Sequence, residues 1–269
     1  MLERERVQII LRMARERGVV AINDLVEATG ASGATVRRDL TALAASGQIR
    51  RVHGGIEAVD ATVQQPLATR DFDATKSINI DHKRAIARVA ADLCLDGESI
   101  IINGGTTTYQ MVEPLKSRRL HILTNSYPVA RELIAYSDNR IVLPGGEVYR
   151  KQGIIVSPFD DDAIQHYSGA KMFMSCASIS PLGLVEGDPL IARAEAKLLR
   201  RAQDLVVLAD FSKFTARGAI TVCPLSRVSK LITDDRAPRA AIEMCQAAGI
   251  DVTIVTLDAG GRIQTVTAA

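Results

Sequence analysis

The chain lacks any apolar run approaching the roughly 18 uncharged residues that a membrane span requires. Its amino terminus, MLERERVQIILRMARERG, contains no signal-peptide apolar core. No membrane association is expected, and the expected location is cytoplasmic. Cysteine is sparse: Cys94, Cys176, Cys223 and Cys245 lie far apart with no CxxC pair, which leaves neither a disulfide framework nor a structural zinc site to expect. The thiols read as buried, and the sequence calls for no metal and no cofactor. Nor is there a large excess of either charge, the net value being +2. What is present is 47% apolar and 24% charged over 269 residues, which excludes predominant disorder and suffices for two domains.

The small positive excess is concentrated at the front. Through Ile56 there are nine Arg and no Lys against six acids, whereas the remainder carries 24 basic and 25 acidic groups. Arginine's planar fork suits phosphate recognition. Val7, Ile10, Leu11 and Ala14 fall at i, i+3, i+4 and i+7, predicting a helix over about 4–17 that stops at Gly18. Ile22, Leu25, Val26 and Thr29 repeat the spacing up to Gly30, where glycine permits a tight turn. Ser32 can cap a third helix with Val36, Leu40 and Leu43 inward and Thr35, Arg37, Arg38 and Thr41 outward.

After Ser46-Gly47, the segments Gln48–Val52 and Ile56–Val59 flank His53-Gly54-Gly55 and read as a hairpin. Three helices with a tight middle turn, followed by a basic hairpin, form a winged helix-turn-helix. Its third helix can enter a DNA major groove while the wing touches the flanking backbone. Taken alone, Arg37-Arg38 would equally be a solvated helix face.

The stretch GASGATVRRDLTALAASGQIRRVHGGI resembles the amino-terminal signature of the DeoR family of bacterial transcriptional regulators. Members pair a winged helix-turn-helix with a sugar-phosphate-sensing domain. The resemblance implies that Thr35, Val36, Arg37, Arg38, Asp39 and Leu40 occupy the recognition-helix motif, and Arg50, Arg51, His53, Gly54 and Gly55 the wing motif. The expected DNA-contacting set is Ser32, Thr35, Arg37, Arg38, Arg50, Arg51 and His53. Asp39, unfavourable beside phosphates, either orients a neighbouring Arg or sits on the surface.

From Asp60 to about Thr75 sustained apolar periodicity disappears and Gln64-Gln65-Pro66 interrupts the chain, so the expected division is 1–59, a linker over 60–75, and 76–269. Ile80 to Leu93 then carries a helical pattern, and Ser99–Ile102 a β-branched run. Strand-like runs at 120–123, 141–143, 171–177, 205–209, 228–232 and 252–255 alternate with helical stretches. That alternation predicts an α/β domain with a mostly parallel sheet flanked by helices.

Ligands of such sheets settle at the carboxyl ends of the strands. Asn103-Gly104-Gly105-Thr106-Thr107-Thr108 follows one strand and precedes a helix expected over 109–115. Glycines let backbone approach an anion, and amides, hydroxyls and a helix amino terminus favour phosphate, although the same residues serve plain turn and cap chemistry. Neither GxxxxGK[ST] nor GxGxxG is present, so a nucleotide gains little support. Thr124-Asn125 and Pro144-Gly145-Gly146-Glu147 follow two more strands. Asp210-Phe211-Ser212-Lys213-Phe214 follows another, where Lys213 can neutralise a phosphate or merely pair with Asp210 on the surface.

The DeoR resemblance extends through this domain, whose family counterpart is related in fold to ribose-5-phosphate isomerase and aminosugar-phosphate deaminases. It implies a phosphorylated sugar or polyol as effector. Gly104 to Thr108 match the phosphate loop, and Thr124, Asn125, Gly145, Gly146, Asp210, Ser212 and Lys213 match the other strand-end motifs. Gly187-Asp188-Pro189 through Glu195-Ala196-Lys197 departs from the commoner acid–alanine pattern. Together with Val156-Ser157-Pro158, it is similar to the subgroup containing the L-ascorbate-utilisation repressor. The expected effector set is Asn103, Gly104, Gly105, Thr106, Thr107, Thr108, Thr124, Asn125, Gly145, Gly146, Asp188, Glu195, Asp210 and Lys213.

The leading function is an effector-controlled DNA-binding regulator, a repressor of a sugar or polyol catabolic operon rather than an enzyme. Its partners would be double-stranded operator DNA and a phosphorylated sugar or polyol, and two-fold operators point to a homodimer or homotetramer. One rival is a sugar-phosphate isomerase or deaminase using Asp188, Glu195, Asp210 and Lys213 as acid–base groups. The other is an architectural DNA-binding protein without a ligand.

Overall fold

The structure, a computed structural model, describes residues 3–17, 19–45, 49–52, 54–58, 71–159, 162–216, 218–258 and 260–267. The chain divides into two units, Met1–Pro66 and Leu67–Ala269. In the first, the expected helices appear as α1 (Glu3–Arg17), α2 (Ile22–Thr29) and α3 (Gly33–Ala45). Ile10, Ala14, Leu25, Val36, Leu40 and Leu43, read as apolar stripes apart from Ile49 and Ile56 of the wing, all meet in one core. Gly30 ends α2 in the left-handed conformation at φ 61°, its N–H reaching the carbonyls of Val26 and Glu27. Glycine adopts that conformation without a Cβ penalty.

The wing strands are β2 (Ile49–Val52) and β3 (Gly55–Ala58). They are joined by a strand that the sequence did not announce, β1 (Val19–Ala21), antiparallel to β3 with Val20 opposite Ile56. Three residues after a helix-ending glycine are too few to display alternation. Gly55 is required by this pairing, because a Cβ there would lie 2.4 Å from the Val20 carbonyl oxygen.

Asp39 is buried rather than on the surface, and the arginine it orients is not on its own helix. Its carboxylate accepts from Arg6 of α1, Nε to Oδ2 at 2.5 Å and Nη2 to Oδ1 at 3.2 Å. This bidentate pair ties α3 to α1, while Arg37 and Arg38 stay exposed.

The second unit opens with α4 (Phe72–Thr75), a single turn capped by Asp71, whose Oδ1 accepts the Asp73 N–H at 2.9 Å. The linker expected over 60–75 otherwise lies largely outside the described residues. After α5 (Ile80–Ala91) come β4 (Ser99–Ile102), α6 (Val112–Leu115), β5 (His121–Thr124), α7 (Tyr127–Tyr136) and β6 (Arg140–Val142). A hairpin, β7 (Glu147–Tyr149) and β8 (Ile154–Val156), leads to β9 (Gly169–Met174), β10 (Ser178–Ser180), β11 (Gly183–Glu186) and α8 (Pro189–Leu199). Then follow β12 (Ala202–Ala209), β13 (Ile220–Cys223), β14 (Lys230–Asp234), α9 (Arg239–Ala247), β15 (Asp251–Leu257) and β16 (Ile263–Thr267).

Eight strands form one sheet in the order β16-β15-β14-β12-β9-β4-β5-β6, parallel except for the antiparallel edge strand β16. Alternate side chains enter opposite cores: Ile100, Ile102, Val206 and Leu208 face one layer of helices, while Ile101, Leu205, Val207 and Ala209 face the other. Burial on both faces explains why these strands read as unbroken apolar runs. The chain leaves β4 toward β5 and β6, then returns to the other side of β4 as β9, so the strand order reverses between β4 and β9. In open parallel sheets that reversal marks the ligand crevice.

Three details differ from the sequence reading. The helix expected over 109–115 begins as a 3-10 turn, Thr108–Met111, and only its last four residues are α-helical. Thr108 Oγ1 bonds the carbonyls of Asn103 and Gly105 and tightens that first turn. The strand expected at 228–232 is displaced to Lys230–Asp234 by a 3-10 turn at Leu225–Arg227. A separate antiparallel sheet, β10-β11-β13, had not been anticipated.

Asp39→Ala should destabilise the first unit by about 3 kcal/mol, the cost of stranding one member of a buried ion pair. Thermal unfolding of the full chain should show the first unit melting earlier and the second unchanged.

Candidate functional site

On the first unit, Ser32 caps α3: its Oγ accepts the Thr35 N–H at 3.2 Å and lies 2.9 Å from Thr35 Oγ1. Arg37, Arg38 and Thr41 are exposed on the face opposite Val36 and Leu40, and Thr35 is half-buried. Arg50 and Arg51 are exposed on β2. Arg51 is also structural, since its Nη2 donates to the Arg37 carbonyl at 3.1 Å and to Thr41 Oγ1 at 2.8 Å, bracing the wing against α3. His53 lies outside the described residues.

On the second unit the site is built around Asn103, fully buried at the end of β4. Its Nδ2 donates to the Ser175 carbonyl and to Glu195 Oε1, both at 2.8 Å, and its Oδ1 accepts the Ser175 N–H at 2.9 Å. The side chain thus bonds the end of β4 to the end of β9 across the strand reversal. Asn125, after β5, accepts the Gly104 N–H on its Oδ1 at 2.9 Å, while Thr124 Oγ1 accepts the Ser126 N–H at 3.0 Å. Gly104 and Gly105 admit no side chain: a Cβ would lie 2.5 Å from Ile154 Cγ1 at the former and 2.6 Å from Ser175 Cβ at the latter. Gly105 and Thr106 are half-buried, and their amides have no acceptor among the described residues. Free amides in that position can hold an anion.

The segment after β9 connects this loop to the charged groups, since Ser175 bonds Asn103 and the Ala177 N–H donates to Glu186 Oε1 at 2.8 Å. Lys213, one turn beyond β12, acts electrostatically on Cys176, Glu186 and Asp210. Burial alone would raise the Asp210 carboxyl, but Lys213, Lys83 and bonds from Ser212 outweigh it and hold the group below its usual range. Ser212 supplies both its N–H, at 2.9 Å, and its hydroxyl, at 2.5 Å, to Asp210 Oδ1. Burial pushes Glu195 well above the ordinary carboxylate range, the charge of Glu186 adds to this, and Asn103 only partly opposes it. Burial also raises Glu186, against Lys213 and the amides of Gly187 and Ala177. Glu195 Oε2, Thr107 Oγ1 and Asn125 Nδ2 are buried without a hydrogen-bond partner among the described residues.

The other expected site residues sit differently. Asp188 caps α8, its Oδ1 accepting from the amides of Leu190 at 2.8 Å and Ile191 at 3.2 Å. Gly145 and Gly146 are exposed at the start of the β7–β8 hairpin, and Gly146, at φ 147°, lies where a Cβ would meet the Val156 carbonyl at 2.3 Å. That hairpin, rather than the glycines, reaches the site: the Ile155 N–H donates to the Asn125 carbonyl at 2.7 Å. Ser175, Glu186 and Cys176 were not anticipated, since only the pairing of β4 with β9 and the formation of the separate β10-β11-β13 sheet bring them in.

A groove of about 800 Å³ lies between α5, the 108–115 segment and the turn before β16. None of the expected effector residues lines it. His82, Asp234 and Asp235 each offer a ligand atom within 4.8 Å of the others. Asp234 is already committed, accepting the Phe211 N–H at 2.9 Å on one oxygen and Arg236 Nε at 3.0 Å on the other. Both of its carboxylate oxygens are thus already engaged, one by an amide and one by a guanidinium.

Residues 6–62 match the DeoR-like helix-turn-helix domain, and residues 78–235 match the DeoR C terminal sensor domain. The chain belongs to the DeoR family. This DeoR-family transcriptional regulator is 33% identical over 252 residues to the HTH-type transcriptional regulator UlaR of Shigella dysenteriae serotype 1, covering 94% of this chain and 99% of that protein. UlaR of Escherichia coli O1:K1 / APEC matches with the same identity and the same shares. Among solved structures, ribose 5-phosphate isomerase A of Methanocaldococcus jannaschii overlaps 51% of this chain and 55% of its own at TM-score 0.39 and 19% identity, too distant a likeness to argue from.

Glu195→Gln tests the buried acid. A carboxyl whose folded pKa is raised binds more protons folded than unfolded, so stability falls as pH rises from its unfolded value, near 4.5, toward the raised folded one. The variant should lose that slope, and its second unit should gain stability over wild type as pH rises through this window in denaturant titrations.

Proposed function

We propose that this DeoR-family regulator is a repressor of a sugar or polyol catabolic operon, released or retained according to a phosphorylated sugar or polyol bound at the carboxyl ends of β4, β5, β9 and β12. The observation that carries the effector class is the pair of unaccepted, half-buried amides at Gly105 and Thr106, with Gly105 packed against Ser175 and with Lys213 close enough to act electrostatically on neighbouring Cys176. Two N–H donors and an ammonium suit a phosphate monoester, while Asn125, Thr107 and Glu195 retain unpaired polar atoms that suit hydroxyls. The isomerase or deaminase reading draws less support, because Asp188 is engaged as a helix cap and Asp210 by Ser212.

Operator DNA would be read by Arg37 and Arg38 from α3, with Thr35 and Ser32 at its amino end and Arg50, Arg51 and His53 of the wing on the flanking backbone. We take residues 1–59 as the reading head, 60–75 as the linker and 76–269 as the sensing and oligomerising part. The protein would act in the cytoplasm as a homodimer or homotetramer facing a two-fold operator.

Arg37→Ala and Arg38→Ala should each weaken operator binding without altering ligand affinity. Loss of a base contact should cost about 1–3 kcal/mol, and loss of a phosphate contact should lower the salt slope by about one. Unchanged affinity and salt dependence in both variants would remove α3 from the DNA interface.

Lys213→Ala should keep operator affinity but abolish the response to effector, since an effector acts only through its different affinity for two states. The assay titrates ribose 5-phosphate, glycerol 3-phosphate and a phosphorylated ascorbate into protein–operator complexes, with calorimetry on the free proteins. A variant that binds and responds like wild type would place the pocket elsewhere.

A further inference from the structure

The eight-stranded sheet ends differently at its two edges. At one, β6 is three residues long, opens on the exposed Arg140 and half-buries the other two. Short length and a charge are the ordinary protection of an edge strand. At the other edge, β16 has neither. Ile263-Gln264-Thr265-Val266-Thr267 carries no charge and no proline, pairs with β15 at every position without a break in register, and is exposed throughout. Ile263 is 39% and Val266 58% exposed. All but Gln264 are β-branched, the shape that packs well on a paired strand.

The phase of the ladder fixes what this edge offers. At the turn into β16 the Asp258 N–H donates to the Arg262 carbonyl at 3.1 Å, and the Gly261 N–H to the Asp258 carbonyl at 2.9 Å. Hydrogen-bonded and non-hydrogen-bonded positions alternate along an antiparallel pair. Counting on from Arg262, Gln264 and Val266 bond to Thr256 and Ile254, so the N–H and C=O groups of Ile263, Thr265 and Thr267 point away from β15. Among the described residues no strand lies on that side of β16 and no other backbone group meets these outward ones.

We propose that this edge is a dimer surface, on which a second copy of the chain pairs its own β16 antiparallel about a two-fold axis at Thr265, so that two sheets continue as one. The proposal rests on the reading of a homo-oligomer and names the surface that joins it. An axis at Thr265 engages all three outward residues: Thr265 exchanges bonds with Thr265 of the second copy, and Ile263 with its Thr267. An axis at 264 or 266 leaves one of the three without an outward partner. The side chains agree with this register, since opposed threonines can share a hydroxyl bond and Ile263 against Thr267 sets one β-branched residue on another. The charges agree as well. Antiparallel pairing sends the two 258–262 turns to opposite ends, so Asp258 and Arg262 of one copy meet no like charge of the other. An uncharged strand has no means of selecting an unrelated strand by charge, whereas in this register it is complementary to itself.

The test uses the full chain, its mass measured by light scattering after size exclusion. Thr265→Pro removes an outward N–H and no bond to β15, the placement at which an edge strand tolerates proline. Thr265→Lys sets two like charges against each other at the axis. Each should lower the mass of the wild-type oligomer by about half, the loss of one two-fold interface, with the circular dichroism unchanged. Thr265→Cys reads the register and serves if proline disturbs the strand. Opposed hydrogen-bonded residues lie about 5.5 Å apart at Cα, within reach of a disulfide, so mild oxidation should give a covalent dimer. Ile263→Cys, about 13 Å from its own copy in this register, should not cross-link. The four native thiols are buried and do not compete. An oligomer whose mass neither Thr265→Pro nor Thr265→Lys changes, or cross-linking that is equal at 263 and 265, overturns the proposal and leaves the homo-oligomer reading standing. A monomeric wild type overturns both and leaves the edge to a strand of some other protein.

Discussion

The sensing unit depends on one amide. At the reversal between β4 and β9 the two strands carry the chain to opposite sides of the sheet, and backbone pairing ends at Ile102 and Phe173. Asn103 extends the pairing by one rung: its N–H donates to the Phe173 carbonyl, and its side chain both gives to and takes from the Ser175 backbone. The second donor of the same amide is spent on Glu195, and its carbonyl receives Thr108. With every polar atom of Asn103 committed, the loop that follows can leave its own amides unpaired without the strand ends separating.

Around that amide the protein tolerates an arrangement that is poor for stability. A buried carboxylic acid with an unpaired oxygen, an asparagine with unused donors and a threonine with an unused hydroxyl sit within one stretch of strand ends. Each is unfavourable, at about 1–3 kcal/mol per unsatisfied buried group. The core layers on either side of the sheet supply the compensating burial. The polar atoms are kept at the one place where the sheet topology leaves an opening.

How much of this was legible differs between the units. The helix-turn-helix was readable because Val36, Leu40 and Leu43 repeat at helical spacing and Gly30 punctuates it, signals that are local. β1 was not, because its existence depends on Gly55 lying flat beneath Val20, a contact between residues far apart in the chain. In the sensing unit the apolar strands and the polar loops after them were visible for the same local reason. Asn103 and Glu195 could be nominated, but not their bond to one another, which spans 92 positions. Ser175, Glu186 and Lys83 carry no local mark: a serine after a strand, an acid in an antiparallel strand and a lysine on an amphipathic helix are ordinary until the strands are paired. Asp39 misleads in the opposite sense, since an acid amid Arg37 and Arg38 looks like part of the reading face while its partner is Arg6.

Arg51 limits which positions of α3 can change independently of the wing. Its guanidinium fastens the wing to the backbone and hydroxyl of α3 at Arg37 and Thr41. Side chains at 35, 37 and 38 can therefore change with the wing's placement preserved, because one anchor is a carbonyl common to every amino acid. Position 41 is less free, since its hydroxyl is the other anchor. An α3 exchanged between relatives keeps its companion hairpin in register only when 41 and 51 travel with it.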